Sequence, residues 1–195
     1  MLTLYHAPRS RSSRFLWLLE EIGAPYEVVK VDIRRGDGSG TPDPRNPNPD
    51  KKVPTLVHDG ALVMESAAIC VYLTDAFPDA GLGPRIDDPK RGPYLTWLAW
   101  YAGVLEPLLV ARATGKVADD PAHETAYAAL THRLEAALSP GPFLLGESFS
   151  AADVLIASAF QWARQLMPEG AAFDRYVERI AGRPALHRAL AKDDG

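Results

Sequence analysis

The sequence predicts a chain of two parts, a mixed α/β domain followed by an all-helical one. Three observations carry this. A strand, helix, strand pattern fills the first 31 residues, an Asp59-Gly60 dipeptide separates two short apolar runs, and every convincing element beyond Pro78 has helical spacing.

Leu2–Tyr5 reads as a short strand. From Ser12 onward Phe15, Leu18, Leu19 and Ile22 recur at helical spacing, with Gly23 placed to end the helix. Tyr26–Val31, rich in β-branched residues, supplies a second strand, parallel to the first by way of the helix. Residues 34–50 turn to glycine and then proline and predict an irregular, partly mobile surface connection; no Gly-Lys-Ser/Thr follows the glycines, so they form no phosphate loop. Thr55–His58 and Ala61–Met64 flank Asp59-Gly60, the dipeptide that a type I′ hairpin turn requires because both central residues need positive φ. Ala68, Ile69, Tyr72, Leu73 and Phe77 then mark a helix stopped by Pro78.

The first domain therefore covers 1–77, a linker rich in Asp, Gly and Pro covers 78–88, and the helical domain covers 89–195. Its long first helix carries two apolar stripes, Leu95, Leu98, Ala102, Leu105 and Leu109 on one side and Trp97, Tyr101, Val104 and Leu108 on the other. Two stripes imply two burial partners, and Pro107 inside the helix predicts a kink. A helix from about Ala122 to Leu138 ends at Ser139-Pro140-Gly141-Pro142. Ser150-Ala151-Ala152-Asp153 then has the pattern of a capping box with Asp in place of Glu, Phe149 and Val154 serving as the staple. Asp153 is read as structural. Helices at Phe173–Ile180 and Pro184–Ala191 complete the chain, the last opening on a proline in the tolerated first turn.

Composition narrows the function. With 195 residues, 47% hydrophobic, 24% charged and a formal net charge of -4, the chain can bury a core and has no basic excess with which to hold nucleic acid. One cysteine, Cys70, excludes an internal disulfide or CxxC motif, and within a helix it reads as a small buried apolar residue. The five histidines show no ligand spacing, so no metal is expected. No secretory signal or uninterrupted apolar membrane span is visible, and a cytoplasmic address with no membrane partner is the expectation.

Two helix starts carry the chemistry. Around Ser10, three serines and Arg9, Arg11 and Arg14 join unpaired helix amides, an arrangement that favours a bound anion as well as an ordinary helix cap. At Glu65-Ser66 a carboxylate and a hydroxyl stand side by side at a second helix start. Ser66 suits a ligand carboxylate and Glu65 a ligand ammonium, so together they fit an α-amino acid terminus. A thiol peptide satisfies both sites. Its thiol, with a reference pKa of about 8.5, needs a shift of ~2 pKa units to be ionised near neutrality, about 2.7 kcal/mol, and one hydrogen bond to a charged group supplies about 1.5 to 3 kcal/mol. Locally, Val53-Pro54 reads only as a strand entry.

The residues resemble the cytosolic glutathione transferase family along essentially the whole chain. Ser10-Arg11-Ser12-Ser13-Arg14-Phe15-Leu16-Trp17-Leu18-Leu19-Glu20-Glu21-Ile22-Gly23 is similar to the first-helix segment of serine-type members, of the bacterial beta or theta-like kind. Asn48-Pro49-Asp50-Lys51-Lys52-Val53-Pro54 resembles the family's Asn-Pro-x-Gly-Lys-Val-Pro segment, with Lys51 departing from its glycine. Glu65-Ser66-Ala67-Ala68-Ile69 is similar to the γ-glutamyl-binding motif, Phe143-Leu144-Leu145-Gly146 through Asp153 to the helical-domain capping motif, and Arg183-Pro184-Ala185 to the last-helix start.

The resemblance implies a thioredoxin-like first domain, an all-helical second domain and a homodimer. Glutathione is the implied co-substrate, with the Val53 backbone on its cysteinyl unit, Pro54 cis, Lys52 near the glycyl carboxylate, and Glu65 and Ser66 on the γ-glutamyl group. Ser10 becomes the thiol-activating residue. Tyr5 and Arg11 stand as supporting or alternative groups, and Ser12 and Ser13 as caps. Tyr101, Val104 and Leu108 are implied walls of a pocket for a small electrophile lying between the domains, with core or dimer packing as the other use of that stripe. The activity implied is thiolate transfer to small apolar electrophiles, with peroxide reduction beside it. The rival reading is a non-catalytic binding protein on the same fold. The Ser-Ser-Cys-Ser run of the family's isomerase branch is absent, which disfavours that reaction.

Overall fold

A computed structural model describes residues 1–115, 117 and 120–194. Gly195, the end of the expected helical domain, lies outside the described residues. The chain divides into two compact units, Met1–Ala80 joined by the chain from Arg183 onward, and Gly81–Gly182.

The first unit is built on a four-stranded mixed sheet in the order β2-β1-β3-β4, from β1 (Leu2–His6), β2 (Glu27–Lys30), β3 (Thr55–His58) and β4 (Ala61–Met64). β1 pairs parallel with β2 across helix α1 (Ser13–Ile22), and antiparallel with β3, which returns through the hairpin to β4. Asp59 and Gly60 adopt φ of 47° and 86°, the positive values that the dipeptide anticipated. Leu4, Phe15, Leu16, Leu18, Leu19 and Leu56 are fully buried, together with Ile69, Cys70 and Leu73 of α2 (Ser66–Ala76), so the apolar periodicity of the sequence becomes the core of this unit.

The long connection before β3 is irregular, as expected, and densely hydrogen-bonded. Asp32 accepts from the Thr41 amide and hydroxyl at 2.7 and 3.0 Å. Asn46 is fully buried and donates to the Lys52 carbonyl at 2.9 Å, while Asn48 donates to the Thr55 hydroxyl at 3.2 Å. Gly40 has φ 70°, and a Cβ there would collide with the Ile33 carbonyl, so the close approach requires glycine.

The last helix departs from the expected division. Although its sequence belongs to the region 89–195, α8 (Pro184–Asp194) packs on α1. Arg183, just ahead of it, places Nε and Nη2 on the two carboxylate oxygens of Glu21 at 2.6 and 2.8 Å. Arg188 and Lys192 both reach Glu20, whose carboxylate also accepts from Tyr26 at 2.6 Å. These bonds hold the Glu20 carboxyl at about 2, below its ordinary 4.5, with burial opposing them. A carboxyl pulled down on folding contributes stability in full above about pH 4.5, and that contribution is lost as pH falls towards 2. Protection of the α8 amides, measured relative to the intrinsic exchange rate at each pH, should therefore fall over that interval, and Glu20→Gln should remove most of the pH dependence.

The second unit is helical: α3 (Arg91–Trp100), α4 (Glu106–Ala113), α5 (Pro121–Leu138), α6 (Ala151–Trp162) and α7 (Ala171–Ala181). Between α3 and α4 the residues Tyr101–Leu105 form a π-helical turn, and Pro107 follows within the first turn of α4. A widened turn accommodates a residue that lacks the N–H and whose ring clashes with the preceding turn, so the expected kink appears as a π-bulge. The bulge also revises the two stripes. The buried residues Tyr94, Trp97, Leu98, Tyr101, Leu105 and Leu109 trace one face, with Trp100 buried beside it, whereas Leu95, Ala102 and Val104 are exposed.

By length and composition the 23-residue run Arg91–Ala113 meets the requirement for a membrane span, although Glu106 and Arg112 interrupt its apolar character; core helices meet the same test, and α3 packs against α6. Trp97 and Trp100 meet edge to face at 5.2 Å, with the Arg133 guanidinium of α5 over both rings at 5.0 and 4.9 Å. The tryptophans are thus covered within their own unit and offer no exposed face for a dimer contact.

Helix α6 is the centre of this unit, buried at every residue from Ala151 to Phe160. Its capping box forms as the sequence predicted. Asp153 accepts from the Ser150 amide and hydroxyl, both at 2.9 Å, and also from the Leu144 amide at 3.0 Å and the Tyr176 hydroxyl at 3.1 Å.

Candidate active site

The sheet register brings the predicted site segments to one end of the first unit. Tyr5 of β1 lies opposite Thr55 of β3, and Thr55 opposite Met64 of β4. The chain leaving β1 (Ala7–Ser12), the chain entering β3 (Lys52–Pro54) and the chain leaving β4 (Glu65–Ser66) therefore emerge together. Ala7, Val31 and Val53 form one buried cluster there, with Tyr5, Val29 and Ile33 packed against it. Tyr5 thus serves as packing beneath the loops. The Val53-Pro54 peptide is cis, as the resemblance implied.

Backbone strain marks the same place. Among the described residues, four non-glycine residues have positive φ; one is the hairpin's Asp59, Arg9 (54°) and Glu65 (66°) lie within two of the site segments, and Lys51 (55°) immediately precedes the third. Such conformations persist where surrounding structure enforces them and concentrate at ligand sites. Glu65 is exposed at the N-cap position of α2 and Ser66 is the first residue of that helix, half-buried. Lys52 is exposed, 3.9 Å from Asp50. Arg11 is exposed, whereas Arg14 is buried and contributes to the field on Cys70, so only part of the arginine cluster faces outward.

Ser10 lies in the turn before α1, half-buried, its Oγ receiving the Ser12 amide at 3.1 Å and lying 2.8 Å from Ser12 Oγ. Ser12 differs from expectation. It occupies the N-cap position of α1, but its hydroxyl makes no cap bond to the helix. Instead it is completely buried, receives the Ala7 amide at 3.1 Å and lies 2.8 Å from His6 Nδ1.

His6 is fully buried at the end of β1. Its Nε2 faces Asp193 Oδ1 of α8 at 3.0 Å, off the line of a straight hydrogen bond. Burial pushes the imidazole below its ordinary value, and Lys30 adds to that, while the Asp193 carboxylate works against both. Asp193 also accepts from Ser13 Oγ at 2.7 Å and from the Arg9 amide at 3.3 Å. His6 and Asp193 carry no mark in the sequence: one is a strand-end histidine within a motif read for its serines, the other an acid in the last turn of the chain.

In the helical unit, the three expected wall residues separate. Tyr101 is fully buried with its hydroxyl on Glu106 at 3.2 Å, because the π-turn carries it to the core face; Val104 is 38% exposed and Leu108 half-buried. Cys70 is completely buried, and burial pushes its thiol far above the ordinary range. Among the described residues no group of three or more His, Cys, Asp or Glu side chains is placed to hold a metal ion.

Two family models match the chain: the glutathione S-transferase N-terminal domain over residues 1–75 and the C-terminal domain over residues 99–192. Disulfide-bond oxidoreductase YfcG of Escherichia coli strain K12 is 31% identical over 210 residues, spanning 98% of this chain and 95% of that protein. Glutathione S-transferase GstA of Escherichia coli O157:H7 is 28% identical, spanning 97% and 98%. Among solved structures, a sphingomonad glutathione S-transferase complexed with glutathione superposes with a TM-score of 0.81 at 28% identity, covering 98% of each chain.

Proposed function

The chain belongs to the glutathione S-transferase family and is a glutathione transferase, and we propose from that premise that Ser10 Oγ is the group that meets the glutathione thiol. The observation that carries the reading is the position of Ser10 at the sheet end where the cis Val53-Pro54 peptide and Glu65-Ser66 also emerge. In this reading the Val53 backbone pairs with the cysteinyl unit, Glu65 takes the γ-glutamyl ammonium, and Ser66 with the first amides of α2 takes its carboxylate. Lys52, exposed, takes the glycyl carboxylate. Arg11 adds positive field, and Tyr5 supports the loops from below.

The reaction follows from the sulfur's charge. A hydrogen bond from Ser10 favours the thiolate, which attacks the electrophilic carbon of a small apolar substrate as the leaving group departs with the bonding pair. The same thiolate can attack a peroxide oxygen, breaking the O–O bond to release an alcohol, and a second glutathione then converts the resulting sulfenic acid to glutathione disulfide and water. Val104 and Leu108, the wall residues that reach the surface of the helical unit, are assigned to the electrophile. A cytoplasmic homodimer is the assembly expected of the family.

A second reading, glutathione-dependent disulfide reduction, is favoured by the full-length similarity to a disulfide-bond oxidoreductase. The chain has one cysteine, and it is buried in α2. The thiols in such a reaction would therefore belong to glutathione, again activated at Ser10.

The test is retention on immobilised glutathione, thiolate absorbance on binding, and turnover of an aryl halide and of a mixed disulfide. Binding without thiolate absorbance or turnover would instead mark a non-catalytic binding protein. Ser66→Ala, which removes one hydrogen bond to a carboxylate, about 1.5 to 3 kcal/mol, should raise the KM for glutathione by about 10- to 150-fold with kcat little changed.

A further inference from the structure

We propose that His6 stores the proton of the glutathione thiol, receiving it at Nδ1 through Ser10 and Ser12 while Asp193, beside Nε2, balances the charge of the imidazolium. The inference rests on Ser10 being the group that meets the sulfur, and it concerns where the proton goes.

The geometry leaves the hydroxyl chain two states. Ser10 Oγ already accepts the Ser12 amide at 3.1 Å, which leaves it one lone pair and one proton for two neighbours, Ser12 Oγ and the incoming sulfur. Ser12 Oγ already accepts the Ala7 amide at 3.1 Å, which leaves one lone pair and one proton for Ser10 Oγ and His6 Nδ1, both at 2.8 Å. The Ala7 carbonyl, at 3.2 Å, is the longer alternative for that proton, and using it would leave one of the two 2.8 Å contacts between lone pairs. Both short contacts are satisfied only when the two hydroxyls point the same way along the chain.

The protonation state of His6 selects the direction. With His6 neutral and its proton on Nε2 beside Asp193, Nδ1 is an acceptor: Ser12 donates to His6, Ser10 donates to Ser12, and Ser10 presents a lone pair to the S–H. With His6 protonated, Nδ1 donates to Ser12, Ser12 to Ser10, and Ser10 turns its proton towards the sulfur. Passage between the states moves three protons. The S–H, Ser10 O–H and Ser12 O–H bonds break as new bonds form at Ser10 Oγ, Ser12 Oγ and Nδ1, with no change in oxidation state. A neutral thiol and a neutral imidazole become a thiolate and an imidazolium, so the net charge of the site is unchanged. Each state of the chain thus suits the species it faces: a base for the thiol, a donor for the thiolate.

The surroundings hold the imidazole in balance. Burial and Lys30 of β2 disfavour its charge, and Asp193 of α8 favours it, so the free protein keeps His6 neutral near pH 7 and ready to accept. Asp193 is itself fixed by Ser13 Oγ and the Arg9 amide. His6, Ser12 and Asp193 are positioning and relay groups; none needs to touch glutathione.

Proton release on binding tests this. Glutathione is titrated into the full-length protein at pH 7 in two buffers of different ionisation enthalpy, with thiolate followed by its absorbance. The expected result for the wild type is thiolate formation with well under one proton released per thiolate. His6→Gln, which keeps a polar side chain but cannot take the proton, should release one proton per thiolate and raise the apparent pKa of the bound thiol by about one unit, a tenfold loss of thiolate below it. One proton per thiolate in the wild type overturns the proposal, as does a His6→Gln protein unchanged in both readouts. Should His6→Gln fail to fold, Asp193→Asn replaces it; the relay requires a raised apparent thiol pKa there, and an unchanged one overturns it. Absence of any thiolate in the wild type would overturn the role of Ser10 itself, a result distinct from thiolate formed with its proton lost to solvent.

Discussion

Ser10→Ala should lower kcat/KM for an aryl halide by about 10- to 150-fold near neutral pH, the equivalent of one hydrogen bond to a charged group, about 1.5 to 3 kcal/mol. The thiolate absorbance of bound glutathione should move to higher pH by a corresponding amount, about 1 to 2 units. The KM for glutathione should change little, because the amino-acid end of the ligand is assigned to Glu65 and Ser66 on a different element. Tyr5→Phe is the contrast. Tyr5 packs on the Ala7, Val31 and Val53 cluster, so loss of its hydroxyl should leave most of the activity. Full turnover in Ser10→Ala together with loss in Tyr5→Phe would reverse the assignment.

Asp153→Ala should destabilise the protein by about 3 to 5 kcal/mol, because it strands the Leu144 and Ser150 amides and the Ser150 and Tyr176 hydroxyls in a buried setting. For a chain of this size that is a fall in Tm of roughly 6 to 20 °C, measurable by thermal unfolding. The carboxyl carries a pH signature as well. Burial pushes it up to about 6 from the ordinary 3.8, in spite of the four donors. A carboxyl raised on folding favours the folded state in full below about pH 4, and that contribution is lost as pH rises through 6. The Ala variant should lose this slope along with its stability. A change below about 1 kcal/mol would mean that the four donors find other partners.

These two residues differ in how far the sequence reveals them. Asp153 is legible because a capping box is local: its partner Ser150 stands three positions away, and the helix start follows from the residues alone. The Leu144 and Tyr176 bonds, which turn a cap into the hub of a buried network, depend on two further segments and are not visible in the pattern. Ser10 is legible as a helix-start hydroxyl. That it stands apart from Ser12, one half-buried in the turn and the other completely buried against His6, is not, since both satisfy the same local rule.

By itself, the sequence determined the strands, the Asp59-Gly60 hairpin, the helices and the Ser150–Asp153 capping box, because each depends on side-chain periodicity or turn chemistry within a few residues; the expected glutathione-site motifs rest on the family resemblance instead. Only the tertiary structure decided the rest. It returned α8 to the first unit through Arg183, Arg188 and Lys192, and it redrew the two helix stripes across a π-turn at Tyr101–Leu105, just ahead of Pro107. It gave Glu65 its positive φ, and it set Asp193 beside a histidine 187 positions earlier in the chain. Burial and charge balance at His6 arise from segments that meet only on folding, and no local pattern in the chain encodes that meeting.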